Sequence, residues 1–85
     1  MDMEEILFTG KSATHAQIMK KILNNRGIDA EIVRPDVKIT SGNCSYAVRI
    51  SQGFFAEAIE ILKENRTTPV RAVLIRDTYY RELKI

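Results

Sequence analysis

The most chemically distinctive stretch of the sequence surrounds its single cysteine. Cys44 follows the pair Gly42-Asn43, which is typical of a turn, and it directly precedes a strand-like run. Ser41 and Ser45 are small and polar, so no bulky apolar neighbour in the sequence encloses the thiol. Consecutive amides in such a turn can bind an anion, which favours a thiolate or a persulfide anion. We therefore predict that Cys44 performs sulfur chemistry at a loop-to-strand junction. The residues predicted to surround its sulfur are Ser41, Gly42, Asn43 and Ser45.

His15, the only histidine, is the candidate partner for the thiol. It falls in the first turn of a predicted helix, at the end of the predicted sheet where the strand after Cys44 begins. A cysteine and a histidine that are distant in sequence can meet in the fold, where the histidine acts as base or hydrogen-bond partner. Two plainer interpretations stay open: Cys44 as a small buried apolar residue, and His15 as a solvent-facing residue of the first turn.

Other kinds of site find little support in the sequence. One cysteine and one histidine are too few for a closed zinc site, so no metal is predicted. The segment Thr9-Gly10-Lys11-Ser12 resembles the end of a phosphate-binding loop, but Glu5 occupies the position of the required upstream glycine. We therefore predict neither a nucleotide-binding loop nor a bound cofactor.

Composition and charge indicate the class of protein. A chain of 85 residues, 45% apolar and 28% charged, is typical of one soluble globular domain. The net charge is +2, from 13 basic and 11 acidic residues with interspersed signs, so nucleic acid is not a predicted partner. No apolar run approaches the roughly 20 residues of a membrane span, and the acidic N-terminus does not resemble a secretory signal. A lone cysteine cannot form an internal disulfide, and together these observations predict a cytoplasmic protein.

The first half of the chain is predicted to form a central strand and a helix. A short apolar run within Glu5–Thr9 predicts the strand. The helix is predicted over Thr14–Arg26, because Thr14 and Gln17 have the spacing of a capping box, with Ser12 as an alternative cap. Gly27 is the predicted left-handed C-cap. The predicted apolar stripe of this helix consists of Ile18, Met19, Ile22 and Leu23.

The later elements complete a βαββαβ order. They are a strand over Asp29–Arg34 that Pro35 stops, a strand over Ser45–Ser51, a helix over Gly53–Asn65 capped by Ser51, and a strand over Val70–Arg76. Two right-handed crossovers place both helices on one face of an antiparallel sheet, which is the ferredoxin-like α+β two-layer sandwich. Residues 1–76 form the predicted single domain. Residues 77–85 are a C-terminal tail that could be a short helix, an edge strand or a docked segment. The sheet face without helices should be wet or an interface, and this face or the tail could form a homodimer.

Several of these segments resemble a small prokaryotic family of selenium/sulfur (Se/S) carrier protein-like proteins. The resemblance extends from Ile6 to about Ile75. It rests on Ser-x-Thr-His at 12–15, Asn-Arg-Gly-Ile ending at Ile28, Thr-Ser-Gly-Asn-Cys at 40–44, and the helix of 58–65. The family pattern has a glycine after the cysteine, where this chain has Ser45. The resemblance implies that Cys44 carries sulfur or selenium as a persulfide or selenylsulfide, taken from a desulfurase-like donor protein. The resemblance also implies a role for His15, but more weakly than for Cys44.

Three functional hypotheses follow. The first is a sulfur/selenium carrier or thiol-relay protein that serves a partner enzyme, as an accessory protein more than a turnover enzyme. The second is a regulatory or scaffold module that binds a ligand or partner through the open sheet face and the tail, with a structural Cys44. The third is an RNA-binding module, which lacks the expected stacking aromatics on its central strands, since Tyr46 is the one candidate on the third strand.

Overall fold

The computed structural model describes residues 4–34, 46–76 and 79–83. Its elements are β1 (Glu5–Thr9), α1 (Ala13–Asn25), β2 (Glu31–Val33), β3 (Ala47–Ser51), a 3-10 turn (Gln52–Phe54), α2 (Phe55–Glu64), β4 (Arg71–Arg76) and β5 (Tyr79–Leu83). The strands form one antiparallel sheet in the order β2-β3-β1-β4-β5. This confirms the ferredoxin-like α+β sandwich. The fifth strand lies in the predicted tail, and of the three conformations considered for it, the edge strand is the one observed.

The core lies between the sheet and the two helices. Alternate residues of the central strands, such as Ile6 and Phe8, are fully buried against it. The larger buried side chains are Phe8, Ile6, Met19, Leu23, Ile28, Ile50, Leu62 and Val48. Phe8 also packs near Phe55, with ring centroids 6.1 Å apart. The core therefore draws on both helices.

The opposite face of the sheet combines buried apolar residues with ion pairs. Leu7 and Val73, which are opposite each other on β1 and β4, are 6% and 2% exposed. Arg49 binds the carboxylates of Glu5, at 3.3 Å, and Glu31. This face therefore carries both buried apolar side chains and paired charges.

The N-cap of helix α1 lies two residues before the predicted one. Ser12 is the N-cap: its backbone is extended and its Oγ accepts a hydrogen bond from the His15 N–H at 3.1 Å. The prediction of Thr14 as the cap is therefore wrong, because Thr14 already lies inside the first turn. The predicted stripe is wrong at Ile18, which is 46% exposed, while Ala16 is buried in its place.

Both helices end in the same hydrogen-bond pattern, the Schellman motif. At the end of α1, Gly27 has a φ of 86°, as predicted, and the N–H of Ile28 donates to Leu23 O at 3.0 Å. At the end of α2, Arg66 occupies the equivalent left-handed position with a φ of 54°, and the Thr67 N–H donates to Leu62 O at 2.9 Å. A non-glycine residue in this conformation is strained by about 1–2 kcal/mol.

Helix α2 starts differently from the prediction. Ser51 belongs to β3 and makes no capping hydrogen bond with its side chain. The next residue, Gln52, donates its N–H to Glu4 O at 3.2 Å, so the chain is still tied to the sheet where the helix was predicted to be capped. It then tightens into the 3-10 turn, and α2 begins at Phe55 rather than at Gly53.

Candidate functional site

One end of the sheet brings together several segments that are distant in sequence. β1 ends at Thr9, which is opposite Ala47 on β3 and Arg71 on β4. The loop from Gly10 to Ser12 then leads into α1. We call this the Thr9 end of the sheet. β3 begins at Ala47, two residues after Ser45 in the sequence. The start of β3 therefore lies beside the N-terminus of α1, as the topology predicts.

Thr9 and Gly10 fix the course of the chain at this end. Thr9 is 4% exposed, and its carbonyl accepts a hydrogen bond from the Val70 N–H at 2.8 Å. A Cβ on Gly10 would lie 3.1 Å from the backbone N of Ala16 and 3.2 Å from Nδ1 of His15. A glycine lets the loop pass close to the first turn of α1, whereas a Cβ would crowd a backbone atom that cannot rotate away.

The half-buried side chain of His15 contacts both the loop before α1 and the loop after α2. Its Nδ1 accepts a hydrogen bond from the Lys11 backbone N–H at 2.9 Å, and its Nε2 lies 3.3 Å from the carbonyl oxygen of Thr67. An N–H donates to the first nitrogen and a carbonyl can only accept from the second, so the pairing assigns the proton to Nε2. The single lone pair of that tautomer is already used by Lys11. In this arrangement His15 ties the loop before α1 to the loop after α2.

The charges at the Thr9 end are mostly positive. Lys11 is exposed in the loop before α1, and the first turn of α1 contains no acidic residue. The guanidinium carbon of Arg34 lies 5.6 Å from the centroid of the Tyr46 ring, at the start of β3. The positive N-terminal end of the α1 dipole is therefore not neutralised by the first turn itself, a setting that stabilises a nearby anion.

Most of the predicted sulfur site lies outside the described residues. This applies to Cys44 and to the four residues predicted around it, Ser41, Gly42, Asn43 and Ser45. Their roles stay predictions. The role of His15 towards Cys44 also stays a prediction, although His15 itself is described.

Sequence reasoning missed the partners of His15. Lys11 and Thr67 contribute backbone atoms, and a backbone N–H or C=O has no signature in the residue type. The one available signal was Gly10, a glycine placed between a buried strand and a helix, which is typical of close backbone approach.

Two properties of the described residues bear on other functions. Residues 4–34, 46–76 and 79–83 hold no group of three or more His, Cys, Asp or Glu side chains arranged to bind a metal ion. No helix in this part of the chain is long and apolar enough to cross a membrane.

Comparison with known proteins identifies a family match. The family model described as "Putative Se/S carrier protein-like" matches residues 5–74, which includes every described element except β5, with β4 covered as far as Leu74. No curated protein and no solved structure matches the chain.

Proposed function

Because this chain belongs to the "Putative Se/S carrier protein-like" family, we propose that it carries sulfur or selenium on Cys44 between a desulfurase-like donor protein and an acceptor. The observation that carries the proposal is the family match, which spans the cysteine loop. The chain is then an accessory protein that is loaded and unloaded by its partners.

The charge at the Thr9 end supports this proposal. Tyr46 follows Cys44 by two residues and leads into β3 beside Thr9. In this proposal the Cys44 thiol therefore reacts at the Thr9 end of the sheet. Lys11, Arg34 and the uncompensated start of α1 give it positive character. A thiolate or persulfide anion is favoured in such an environment.

The proposed transfer requires no oxidant or reductant. The Cys44 thiolate attacks the terminal sulfur of a donor persulfide, a new S–S bond forms, and the donor's S–S bond breaks. The donor cysteine leaves as a thiolate and takes up the proton that Cys44 lost. With selenium the same displacement leaves a selenylsulfide on Cys44. Delivery reverses the roles, since the acceptor attacks the terminal atom and the Cys44 thiolate leaves.

His15 has a positioning role in this proposal. With both ring nitrogens bonded to backbone groups, it holds the Gly10–Ser12 loop and its Lys11 charge in place beside the predicted thiol. The predicted action of His15 as a base would require it to give up the Lys11 hydrogen bond. The two roles make different predictions for the alkylation experiment below.

The first experiment measures alkylation of Cys44 by iodoacetamide in the folded chain as a function of pH. We expect an apparent pKa well below about 8.5, the value of a free thiol. The Lys11→Ala variant should raise this apparent pKa. Lys21→Ala, a matched loss of an exposed lysine about 12 Å further along α1 from its first residue, should not. A thiol that reacts only after unfolding would contradict the carrier proposal and favour the binding-module hypothesis.

The second experiment tests loading. The chain is incubated with a cysteine desulfurase and cysteine or selenocysteine, and its intact mass is measured without reductant. We expect addition of one sulfur or one selenium atom, removed again by dithiothreitol and absent in Cys44→Ser. An accessible, low-pKa thiol that never acquires the extra atom would contradict sulfur or selenium carriage.

A further inference from the structure

The outer edge of β5 is an exposed feature that the proposed thiol chemistry does not use. β5 lies at the end of the strand order, and in the described part of the chain no strand pairs with its outer side. Tyr79 and Tyr80 are 58% and 46% exposed, and Arg81 and Glu82 are exposed as well. An exposed edge strand of this kind is a template for a further strand, unless the protein blocks it.

Hydrogen-bond alternation determines which backbone groups of β5 face outward. In antiparallel strands, the N–H and C=O of one residue point towards one neighbouring strand, and those of the next residue point towards the other. The Thr9 carbonyl accepts from Val70, so Thr9 faces β4. The Glu4 carbonyl accepts from Gln52, so Glu4 faces the β3 side. Both hydrogen bonds fit the same alternation along β1. In that alternation the backbone N–H and C=O of Leu7, like those of Thr9, point towards β4.

The same alternation, followed through the strand register, reaches β5. Leu7 is opposite Val73, so Val73 faces β1 and the next residue, Leu74, faces β5. Leu74 is opposite Arg81, so Arg81 faces β4. The two neighbours of Arg81 therefore direct their backbone groups away from the sheet. Those neighbours are Tyr80 and Glu82.

We propose that the outer edge of β5 pairs antiparallel with β5 of a second copy of this chain, around a two-fold axis at Tyr80. The two sheets would then join into one, with the helices of both copies on the same face. Backbone hydrogen bonds from Tyr80 to Tyr80 of the second copy lie at the centre of this interface.

The side chains of β5 favour this register over those centred on Arg81 and on Glu82. Centred on Tyr80, the pairing brings the two Tyr80 rings together on one face and places Arg81 opposite Tyr79 of the second copy on the other. A pairing centred on Arg81 or on Glu82 would instead place like charges directly opposite each other, which is destabilising. A second copy fits this edge because β5 itself contains both residues of each favourable pair: Tyr80 with Tyr80, and Arg81 with Tyr79.

A register-specific cross-link tests the proposal. In a Cys44→Ser background, which leaves one engineered thiol, Tyr80→Cys is compared with Glu82→Cys under a copper-phenanthroline oxidant. Opposed residues of a hydrogen-bonded pair have Cα atoms about 5.5 Å apart, within disulfide range. The residues at position 82 would lie about 13 Å apart, from a rise of about 3.3 Å per residue. We expect disulfide dimers to form at least tenfold faster for Tyr80→Cys, and equal or reversed rates would overturn the proposal.

Sedimentation equilibrium of the native sequence, kept reduced, provides a second test. We expect concentration-dependent dimers, weakened at least tenfold by Tyr80→Pro, which removes an outward N–H without affecting the β4–β5 ladder. Ile32→Pro is the matched control on the opposite edge strand, where the Asn24 side chain binds both the N–H and the C=O of Ala30 and so marks that side as outward. It should leave dimerisation unchanged. A native chain that stays monomeric up to hundreds of micromolar, or a Tyr80→Pro variant that keeps its fold and still dimerises as the parent does, would refute a second copy as the occupant and leave β5 to another partner.

Discussion

Replacing His15 by alanine should destabilise the fold, whatever the thiol does. The substitution removes the hydrogen bond from the Lys11 N–H and the one to the Thr67 carbonyl. Each such bond contributes a net of roughly 0.5–1.5 kcal/mol, so the expected loss in the free energy of unfolding is roughly 1–3 kcal/mol. The lower half of that range is the better expectation, because the loop at Lys11 is exposed and water can replace part of the bonding.

Two further substitutions separate the two bonds. In His15→Asn the side-chain oxygen can occupy the position of Nδ1 and keep the Lys11 bond. In His15→Gln the longer side chain can direct its NH₂ group towards Thr67 and keep the other. Each variant should therefore recover part of the stability that alanine loses. Urea unfolding followed by circular dichroism measures all four proteins on one scale, provided that the m-value is unchanged.

A small loss of stability in His15→Ala would refute the proposed link between the two loops. If His15→Ala unfolds within about 0.5 kcal/mol of the native sequence, the lower limit for one net hydrogen bond, then His15 does not link the two loops. The same variant also enters the alkylation experiment. A positioning residue should change the reactivity of Cys44 least in the variant that keeps the Lys11 bond, whereas a base should be lost equally in Asn, Gln and Ala.

Other predictions concern the ends of the helices and the loop at Gly10. Ser12→Ala should cost about 1 kcal/mol by removing the N-cap, while Thr14→Ala should be close to neutral; the reverse order in urea unfolding would restore Thr14 as the cap. Arg66→Gly should stabilise the fold by about 1 kcal/mol, and Gly27→Ala should destabilise it by a similar amount. Both changes are measured as shifts in melting temperature. A destabilised Arg66→Gly would show that the arginine side chain contributes more stability than its strained backbone costs. Gly10→Ala should lower stability by more than 1 kcal/mol, roughly the cost of overpacking, because its Cβ meets backbone at 3.1 Å; an unchanged melting temperature would contradict the close approach.

Local chemistry explains which parts of the fold the sequence could predict. The C-cap at Gly27 was predictable because glycine adopts the left-handed conformation without strain. In the structure Gly27 has this conformation. The C-cap at Arg66 was not predictable, since an arginine gives no sign that it will take the same conformation. Ser12 and Thr14 are both good caps by residue type, and the choice depended on which of them has the extended backbone, a property of the folded loop.

Position in the sheet explains the difficulty with β5. β5 is an edge strand that is exposed on both faces over most of its length. Such a strand needs no alternation of apolar and polar residues, so the sequence of Tyr79–Leu83 shows no clear strand periodicity. At the candidate site, the topology predicted that the α1 start and the β3 start share one end of the sheet. It could not predict the partners of His15, because they are backbone atoms contributed by loops.

The central position of β1 has a consequence for how the chain folds. β1 is the first strand in chain order, yet its pairing partners are β3 and β4, so Phe8 meets Val48 and Ala72 across long stretches of sequence. During synthesis its apolar segment emerges well before either neighbour. α1, whose Met19 and Leu23 share the core with Phe8 and whose C-terminal motif is entirely local, is the nearest element that can shield this segment. β3 can pair with one edge of β1 as soon as it is made, but the edge that faces β4 stays open to pairing with other chains until β4 arrives.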